Sequence, residues 1–279
     1  MAVIDITEDN IGRYGSLLGS FADSVGREYY DAICVEEGGN VLSYMLWQLI
    51  DADEEADTKS EIKGFYCTDN TAAAEMLEVY NTRVSNAKVV STYFEFPYET
   101  VSAYSSAFEA AGFSVEEAEG QTITVTVREL ERHPIAKRKM PEYIMPVSNL
   151  MVRSFRKGIT NCMFRGCTGG LLPDVSHLPI SWYEPEISCY VETDGKPNGF
   201  LLVHKDKDSI LEVQMLFAYG PDYVLNVAQM TGFAMAAALA LYSSETRIKI
   251  RRHNKATAAL AAKLFPGKKG ERVLRGIKK

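Results

Sequence analysis

The stretch that decides the fold is Asn198–Ser244, NGFLLVHKDKDSILEVQMLFAYGPDYVLNVAQMTGFAMAAALALYSS. It predicts a strand, a charged turn, a second strand that becomes wholly apolar, and a long apolar helix. Gly220–Asp222 ends the second strand, because proline donates no amide hydrogen and glycine relaxes the backbone. Asp222 then occupies the N-cap position of a helix predicted over Tyr223–Tyr242. A strand that ends against a helix N-terminus presents free N–H groups and the positive end of the helix dipole, which favours an anion such as phosphate.

The same order of elements occurs earlier in the chain, at an offset of roughly 150 residues. The predicted pairs are Ala32–Glu36 with Glu186–Glu192, Val41–Ile50 with Gly199–Lys205, Glu61–Cys67 with Ile210–Tyr219, and Thr71–Val84 with Tyr223–Ser243. Both copies continue with a strand and a helix, at Lys88–Phe96 and Glu99–Ala111, and at Thr246–Arg251 and Lys255–Leu264. A repeat of this length indicates a duplicated domain and not a solenoid.

Composition and turn signals place the domain boundaries. We expect a first domain over 1–132, a linker over 133–145 that is rich in proline and basic residues, and a second domain over 146–279. The segments 113–116 and 121–130 are expected to pair and close the first domain. The second domain opens with a helix near Val147–Lys157 and a loop-rich stretch over 158–182, which either lines a substrate mouth or only wraps the core. A last strand is expected at Arg272–Ile277.

Charge is distributed unevenly along the chain. The net charge of −7 combines 8 basic and 25 acidic residues through Arg132, net −17, with 22 basic and 12 acidic residues from His133 onward, net +10. Either the two halves attract each other or the basic half binds a polyanion such as a nucleotide cofactor. Nucleic acid is disfavoured, because the basic residues are not interleaved with aromatic residues as in a stacking platform.

The remaining composition favours a cytoplasmic protein. The acidic start MAVIDITEDN lacks the features of a secretory signal. The apolar stretch Tyr223–Tyr242 contains Asn226, Gln229 and Thr231 and follows a strand, so we expect a buried helix and no membrane span. Five cysteines form no CxxC pair, which favours buried free thiols over a disulfide framework or a metal site.

A strand hairpin, a strand breaking into an anion-facing helix, and then a strand and a helix resemble the GCN5-related N-acetyltransferase (GNAT) family, here as a tandem pair. Ala103–Phe113 (AYSSAFEAAGF) resembles the family's helix that ends in Gly-Phe, and Asn254–Phe265 (NKATAALAAKLF) resembles its Asn-x-x-Ala helix opening. The resemblance implies an α+β fold with three layers, in which two domains each have a mixed, mainly antiparallel sheet flanked by helices. It also implies acetyl-CoA as co-substrate, an amine acceptor and no metal.

The resemblance assigns site residues in both domains. Cofactor contacts are implied at Tyr66, Cys67, Thr71, Ala72, Phe217, Ala218, Tyr219, Tyr223, Asn254 and Lys255. Ordinary sheet core is the alternative for the strand residues, and helix N-capping is the alternative for Asn254. The family's phosphate motif, Gln/Arg-x-x-Gly-x-Gly/Ala, is absent from both Thr68–Ala74 and Tyr219–Val224.

The family's general acid, a tyrosine, is replaced by Phe108 in the first domain and by Ala261 in the second. Tyr104, one helical turn before Phe108, is the candidate acid, with a core position as the alternative. Three functions stay open: an acyl-CoA-dependent N-acetyltransferase, a non-catalytic tandem protein that binds a ligand or partner, and an acyltransferase of peptidoglycan or aminoacyl-tRNA type. A homo-oligomer is compatible with each of them.

Overall fold

The structure is a computed structural model that describes residues 2–26, 30–50, 58–167, 178–206, 208–252 and 254–279. The chain divides into two compact units. Unit 1 comprises Met1–Gly120 together with Glu271–Lys279, and unit 2 comprises Gln121–Gly270. Each unit is a mixed sheet flanked by helices, so the predicted α+β class is confirmed.

Unit 1 is built on a seven-stranded sheet in the order β1-β2-β3-β4-β5-β13-β6. Its strands are β1 (Ala2–Ile6), β2 (Tyr30–Glu37), β3 (Asn40–Ile50), β4 (Lys59–Cys67), β5 (Ser91–Pro97), β6 (Ser114–Glu119) and β13 (Arg272–Lys278). Its helices are α1 (Ile11–Leu18), α2 (Asn70–Asn86), α3 (Tyr98–Val101) and α4 (Ser105–Ala110), with 3₁₀ turns at Gly19–Ser24 and Ser102–Tyr104. Only the β4–β5 pair is parallel.

Unit 2 is built on a six-stranded sheet in the order β7-β12-β11-β10-β9-β8. Its strands are β7 (Thr122–Thr126), β8 (Ile144–Pro146), β9 (Cys189–Thr193), β10 (Lys196–Lys205), β11 (Leu211–Ala218) and β12 (Arg247–Arg251). Its helices are α5 (Val127–Leu130), α6 (Val152–Phe164), α7 (Tyr223–Leu241) and α8 (Lys255–Leu264). Only β11–β12 is parallel, so this sheet repeats the pairings of β13-β5-β4-β3-β2-β1 and confirms the predicted duplication.

The expected pairing of 113–116 with 121–130 is wrong. β6 pairs with β13, whereas β7 pairs antiparallel with β12 in the other sheet. Each sheet is therefore completed by a strand from a distant part of the chain. As a consequence, residues 121–145, part of which we predicted as a linker, belong to unit 2, and 271–279 belong to unit 1.

Charge complementarity accompanies the insertion of β13 between two acidic strands. Arg272 donates to Glu117 at 2.6 Å, Arg275 donates to Glu95 at 2.7 Å, and Lys278 donates to the Ala111 carbonyl at 2.8 Å. Exposed ion pairs contribute little stability individually, but like charges in a wrong register would repel. Arg272 and Arg275 thus neutralise acidic residues of unit 1, and Lys278 binds a backbone carbonyl there, although the sequence places all three in the basic half of the chain.

Other elements differ from prediction in their bounds. The helix expected over Tyr98–Ala111 is split by a 3₁₀ turn, and the helix expected near Val147–Lys157 runs over Val152–Phe164. Part of the predicted 158–182 loop, residues 168–177, lies outside the described residues, as do 51–57 of the predicted acidic loop. By length and composition α7 is long and apolar enough to cross a membrane, and 39% of its most apolar window is buried within the protein.

Gly276 on β13 tests the inserted strand. A Cβ atom there would lie 2.0 Å from Cε1 of Phe94, whose ring is fully buried against Phe96, Phe108 and Phe113. Gly276→Ala is therefore expected to destabilise the protein by about 1–3 kcal/mol, the usual cost of overpacking. Thermal unfolding measured by circular dichroism checks this. The control is Gly12→Ala on α1, which meets no atom within 4 Å and should be neutral or slightly stabilising; equal midpoints for both variants would contradict the insertion.

Candidate functional site

In each unit the sheet opens where its parallel strand pair ends. β4 pairs with β5 only over Lys59–Ile62, and β11 pairs with β12 only over Leu211–Val213. The register of the neighbouring antiparallel ladder shifts by one residue at the same point, which leaves Lys63 on β4 and Gln214 on β11 as the extra residues. Such bulges increase local twist and occur next to active sites. Beyond them, one edge of β4 and one edge of β11 face a V-shaped opening.

The opening in unit 2, called here the β11–β12 cleft, contains a cavity of about 520 Å³. Its walls are the end of β11, the first turns of α7 and α8, and the residues that follow α6. A second cavity of about 110 Å³, called here the apex cavity, lies where β11 and β12 separate. Met215, Leu216, Thr257 and Leu260 border both cavities, so the two cavities are adjacent.

The N-terminus of α7 faces the wide end of this cleft. Asp222 occupies the N-cap position as predicted, but its side chain makes no capping hydrogen bond. Gly220, with φ of 101°, provides the sharp turn from β11, and its carbonyl accepts from Tyr223 N–H at 3.3 Å. Val224 is 65% exposed and lines the cavity. The first turn of α7 therefore presents its positive dipole end to the cleft without a carboxylate bound to it.

Asn254 caps the start of α8, which is the alternative that the sequence left open for this residue. Its Oδ1 accepts from Thr257 N–H at 2.9 Å, while Thr257 Oγ1 bonds back to Asn254 N–H at 3.1 Å, which forms a capping box. Asn254 also lines the β11–β12 cleft. The helix α8 is thus fixed at its N-terminus on the wall opposite β11.

The predicted site residues of unit 2 divide into two groups. Phe217, Ala218, Tyr223 and Asn254 line the cleft, whereas Tyr219 and Lys255 are not among its lining residues. Tyr219 instead packs in the core beside α6, where burial raises its pKa and Arg165 lies 5.7 Å from its ring. The lining residues that the sequence did not indicate include Gly166, Cys167, Met215, Leu216, Val224 and Lys263. Among these, only Gly166 and Cys167 fall in a segment that composition marked, the loop-rich stretch.

The corresponding helix N-terminus in unit 1 is occupied by the protein's own carboxylate. Asp69 Oδ1 accepts from Thr71 N–H and Ala72 N–H, both at 2.9 Å. The bond from Ala72, assisted by Thr68 and Thr71, lowers the pKa of Asp69 below its usual value. Thr71 and Ala72 were predicted as cofactor contacts, and the amides that would bind a phosphate there are the ones that Asp69 uses.

Aromatic side chains lie near the end of β4 in unit 1. The Tyr104 hydroxyl donates to the Cys67 carbonyl at 2.6 Å, and its ring lies 5.7 Å from the ring of Phe65. Tyr66 stacks on Tyr44 at 6.0 Å. Burial raises the pKa of Tyr104, and its proton is held by a backbone carbonyl. Tyr104, predicted as a catalytic acid, is placed here as a bridge that closes the end of β4.

The position of the family's acid is apolar in both units. Phe108 is fully buried, with ring centroids 4.9 Å from Phe65 and 4.3 Å from Phe94. Ala261 is 3% exposed and belongs to the core of unit 2. Within the described ranges, no three His, Cys, Asp or Glu side chains lie close enough together to hold a metal ion.

These features define the class of protein: the chain has a tandem GNAT fold. No family model and no curated protein matches the sequence. Among solved structures, a tandem GNAT protein from the clavulanic acid biosynthesis pathway is similar, with 10% identity, a TM-score of 0.55, and coverage of 99% of this chain and 97% of that chain.

Two further structures share the fold across this chain. A probable N-acyltransferase of unknown function from Enterococcus faecalis is 9% identical with a TM-score of 0.51, covering 99% of this chain and 72% of that chain. A GCN5-related glucosamine N-acetyltransferase region of a fungal multi-domain β-N-acetylglucosaminidase is 8% identical with a TM-score of 0.52, covering 99% of this chain and 38% of that chain. At such identities the likeness establishes the fold and leaves function to the site.

The two helix N-termini make a matched test. Asp69→Ala is expected to lower the thermal unfolding midpoint because it removes the acceptor for two amides, whereas Asp222→Ala should leave the midpoint unchanged. Since the pKa of Asp69 is lowered in the folded state, its stabilisation is fully present above the unfolded pKa of about 4 and is lost as the pH falls through the folded value. The difference between wild type and Asp69→Ala should therefore narrow in acid. An equal loss from both variants would contradict the structure.

Proposed function

We propose that unit 2 binds an acyl-CoA in the β11–β12 cleft and that the protein transfers the acyl group to an amine, with acetyl-CoA as the simplest donor. The single observation that carries this proposal is the cleft itself. A cavity of about 520 Å³ runs from an α7 N-terminus that no side chain caps to the point where β11 and β12 separate. GNAT proteins in general use acetyl-CoA as co-substrate, which agrees with this shape.

Electrostatics support the wide end of the cleft as the phosphate-binding end. The amides of the first turn of α7 and the helix dipole favour an anion there. Lys263 lines the same cavity. Unit 2 as a whole has 20 basic and 13 acidic residues, net +7, which attracts a polyphosphate. Asp222 opposes this attraction locally, so Asp222→Asn should tighten the binding of a phosphorylated ligand.

The chemistry follows from where the thioester would lie. With the pyrophosphate at α7, the pantetheine arm runs along the free edge of β11, whose backbone groups bind it as a further strand would. Backbone N–H groups at that edge are suitable donors for the oxyanion that forms when an amine attacks the thioester carbonyl. The carbon–sulfur bond then breaks and CoA leaves as a thiolate, which takes up the proton that the attacking nitrogen loses, so that the products are an amide and the free thiol of CoA. Because a free thiol has a pKa of about 8.5, this leaving group departs without a dedicated acid, so an alanine at position 261 is compatible with turnover.

Unit 1 is proposed to serve as a structural partner that binds no acyl-CoA. Asp69 occupies its anion position, and Tyr104 occupies the edge of β4 where a pantetheine arm would lie. A ligand would have to displace both of these internal hydrogen bonds. A single acyl-CoA site, located in unit 2, is the simplest arrangement that is compatible with the structures of both units.

A non-catalytic tandem protein is the second candidate, and the buried Ala261 is the observation that favours it. Such a protein would bind CoA or a related ligand without releasing thiol when amines are added. Binding and turnover therefore have to be measured separately. Location in the cytoplasm stays a prediction of the sequence.

Val224 gives the binding test for unit 2. Val224→Glu places a carboxylate at the proposed phosphate position and is expected to weaken CoA binding about tenfold at low salt and less at high salt. The control Val224→Gln introduces a side chain of nearly the same size as glutamate but without its charge. This variant should bind CoA as wild type does. Because Val224 is exposed, both variants should fold equally well. Isothermal titration calorimetry measures the Kd values.

Pantetheine, which lacks the phosphates, is the ligand control for this pair of variants. It should bind Val224→Glu and Val224→Gln with the same Kd. Wild-type protein with saturating CoA, at 100 times its Kd, should gain about 2.7 kcal/mol of stability. The proposal fails if millimolar CoA and acetyl-CoA produce no thermal shift, or if Val224→Glu binds CoA as tightly as Val224→Gln.

Substitutions in unit 1 separate its role from that of unit 2. Tyr104→Phe should leave turnover unchanged and cost about 1 kcal/mol of stability, because the Cys67 carbonyl loses its donor. Phe108→Tyr should create no activity and cost about 1–3 kcal/mol, since its hydroxyl would be buried among phenylalanine rings. The assay is thiol release from acetyl-CoA with a panel of polyamines and amino acids. Turnover that is lost only in Tyr104→Phe would instead place the acid in unit 1.

A further inference from the structure

The apex cavity lies beyond the position that the two carbons of an acetyl group would occupy in the β11–β12 cleft. It begins at the last β11–β12 pair, Val213 with Ile250, and extends between the sheet and the helices α7 and α8. Its walls include Met235, Ala238 and Leu264, which are buried or nearly buried apolar side chains. A protein interior is normally packed without voids of this size, so the cavity is a feature that needs an occupant or a reason.

The polar groups at this cavity are already bonded within the protein. Thr231 Oγ1 donates to the Val227 carbonyl at 2.8 Å, and Thr257 Oγ1 donates to the Asn254 carbonyl at 3.0 Å. A water molecule in such a cavity would lack the two to four partners that hold buried water. The interior of the cavity therefore suits hydrocarbon better than water.

Gln214, which also lines the apex cavity, is the exception. It is the bulge residue of β11 and is 8% exposed, with Nε2 donating to Glu212 at 3.2 Å. Its Oε1 is buried and has no hydrogen-bond partner among the described residues. A buried acceptor without a donor is costly to leave unmatched. An amide N–H, such as the one next to the thioester in the pantetheine arm, is a suitable donor for it.

The proposed phosphate position sets the direction in which a bound acyl-CoA would run through the cleft. If the phosphates lie at the N-terminus of α7, an extended arm along β11 passes Phe217 and Leu216 before it reaches Gln214. The acyl group, at the far end of the arm, then lies at the entrance of the apex cavity. The two cavities share four bordering residues, so the apex cavity lies next to the cleft.

We infer that the apex cavity is an acyl-chain pocket and that the preferred donor carries a saturated acyl chain longer than acetyl. This inference rests on the proposed acyl-CoA site of unit 2. A cavity of about 150 Å³ lined by apolar side chains accommodates the six carbons of benzene, so about 110 Å³ accommodates about four carbons. Because the first two carbons of the acyl group would lie outside this cavity, butyryl would fill part of it, hexanoyl would fill it, and octanoyl would exceed its volume.

The test compares the Kd values of CoA, acetyl-CoA, butyryl-CoA, hexanoyl-CoA and octanoyl-CoA by calorimetry on the full-length protein. Each methylene buried should tighten binding by about fourfold until the pocket is full. The expected series rises from acetyl to butyryl or hexanoyl and gains nothing further at octanoyl.

Ala234 on α7 lines the apex cavity and gives the variant that fills it. Ala234→Leu should abolish the preference for longer chains while leaving the Kd of CoA unchanged, and Ala234→Val is the smaller change if leucine perturbs folding. Ala240→Leu, the same substitution at an exposed position of α7, is the matched control and should keep the wild-type series.

The outcomes separate this inference from the proposed function. If CoA and acetyl-CoA bind but longer chains bind no tighter, the acyl-chain pocket is wrong and the acyl-CoA site stands. If the preference for longer chains persists in both Ala234 variants, the chain lies elsewhere and the assignment to the apex cavity is overturned. If no CoA species binds at all, both proposals fail.

Discussion

The structure depends on one incomplete interaction, a parallel strand pair that stops after a few residues. β4–β5 is paired over four residue pairs and β11–β12 over three, and the strands then diverge. Backbone N–H and C=O groups beyond that point need another partner, because buried polar groups are rarely left unmatched. Unit 1 supplies this partner internally, with the Tyr104 hydroxyl on the Cys67 carbonyl. Unit 2 leaves the edge of β11 open to a cavity, and that difference separates a closed unit from a candidate binding site.

A single carboxylate makes the same distinction at the helix N-termini. Asp69 and Asp222 occupy equivalent N-cap positions, yet only Asp69 accepts hydrogen bonds from the first-turn amides. The backbone explains the difference: Asp69 is extended, with φ of −154° and ψ of 164°, whereas Asp222 has φ of −97° and ψ of 19° after the Gly-Pro turn. An N-cap side chain reaches back to the helix from the extended conformation. The turn before α7 thus keeps its amides available.

The C-terminal strand β13 lies in the sheet of unit 1, and β7 lies in the sheet of unit 2. The Arg275–Glu95 ion pair joins residues separated by 180 positions, and β6 has β13 as its neighbour in the sheet. Contacts of such high sequence separation form late, because the loop entropy must be overcome before they contribute. Unit 1 therefore becomes complete only once the C-terminal strand is available. Glu117 and Glu95, on the two strands that flank β13, pair with Arg272 and Arg275 and favour this register over one that leaves these charges unpaired.

The sequence by itself determined the order of elements, the duplication and the positions of the helix caps at Asp222 and Asn254. These features are local: turn residues, apolar periodicity and capping residues act within a few positions of the chain. The resemblance to the GNAT family, which rests on the order of these elements, indicated four residues that line the cleft, namely Phe217, Ala218, Tyr223 and Asn254.

Only the tertiary structure decided which sheet received β7 and β13, whether an N-cap aspartate was bonded or free, and where cavities formed. Pairing of a strand is chosen by partners far away in the sequence, and a cavity at Gln214 and Ala234 arises from the packing of four elements at once. Neither leaves a periodic pattern in any one segment. The fold is therefore readable from the sequence, whereas the open and the closed site differ by contacts that no local pattern records.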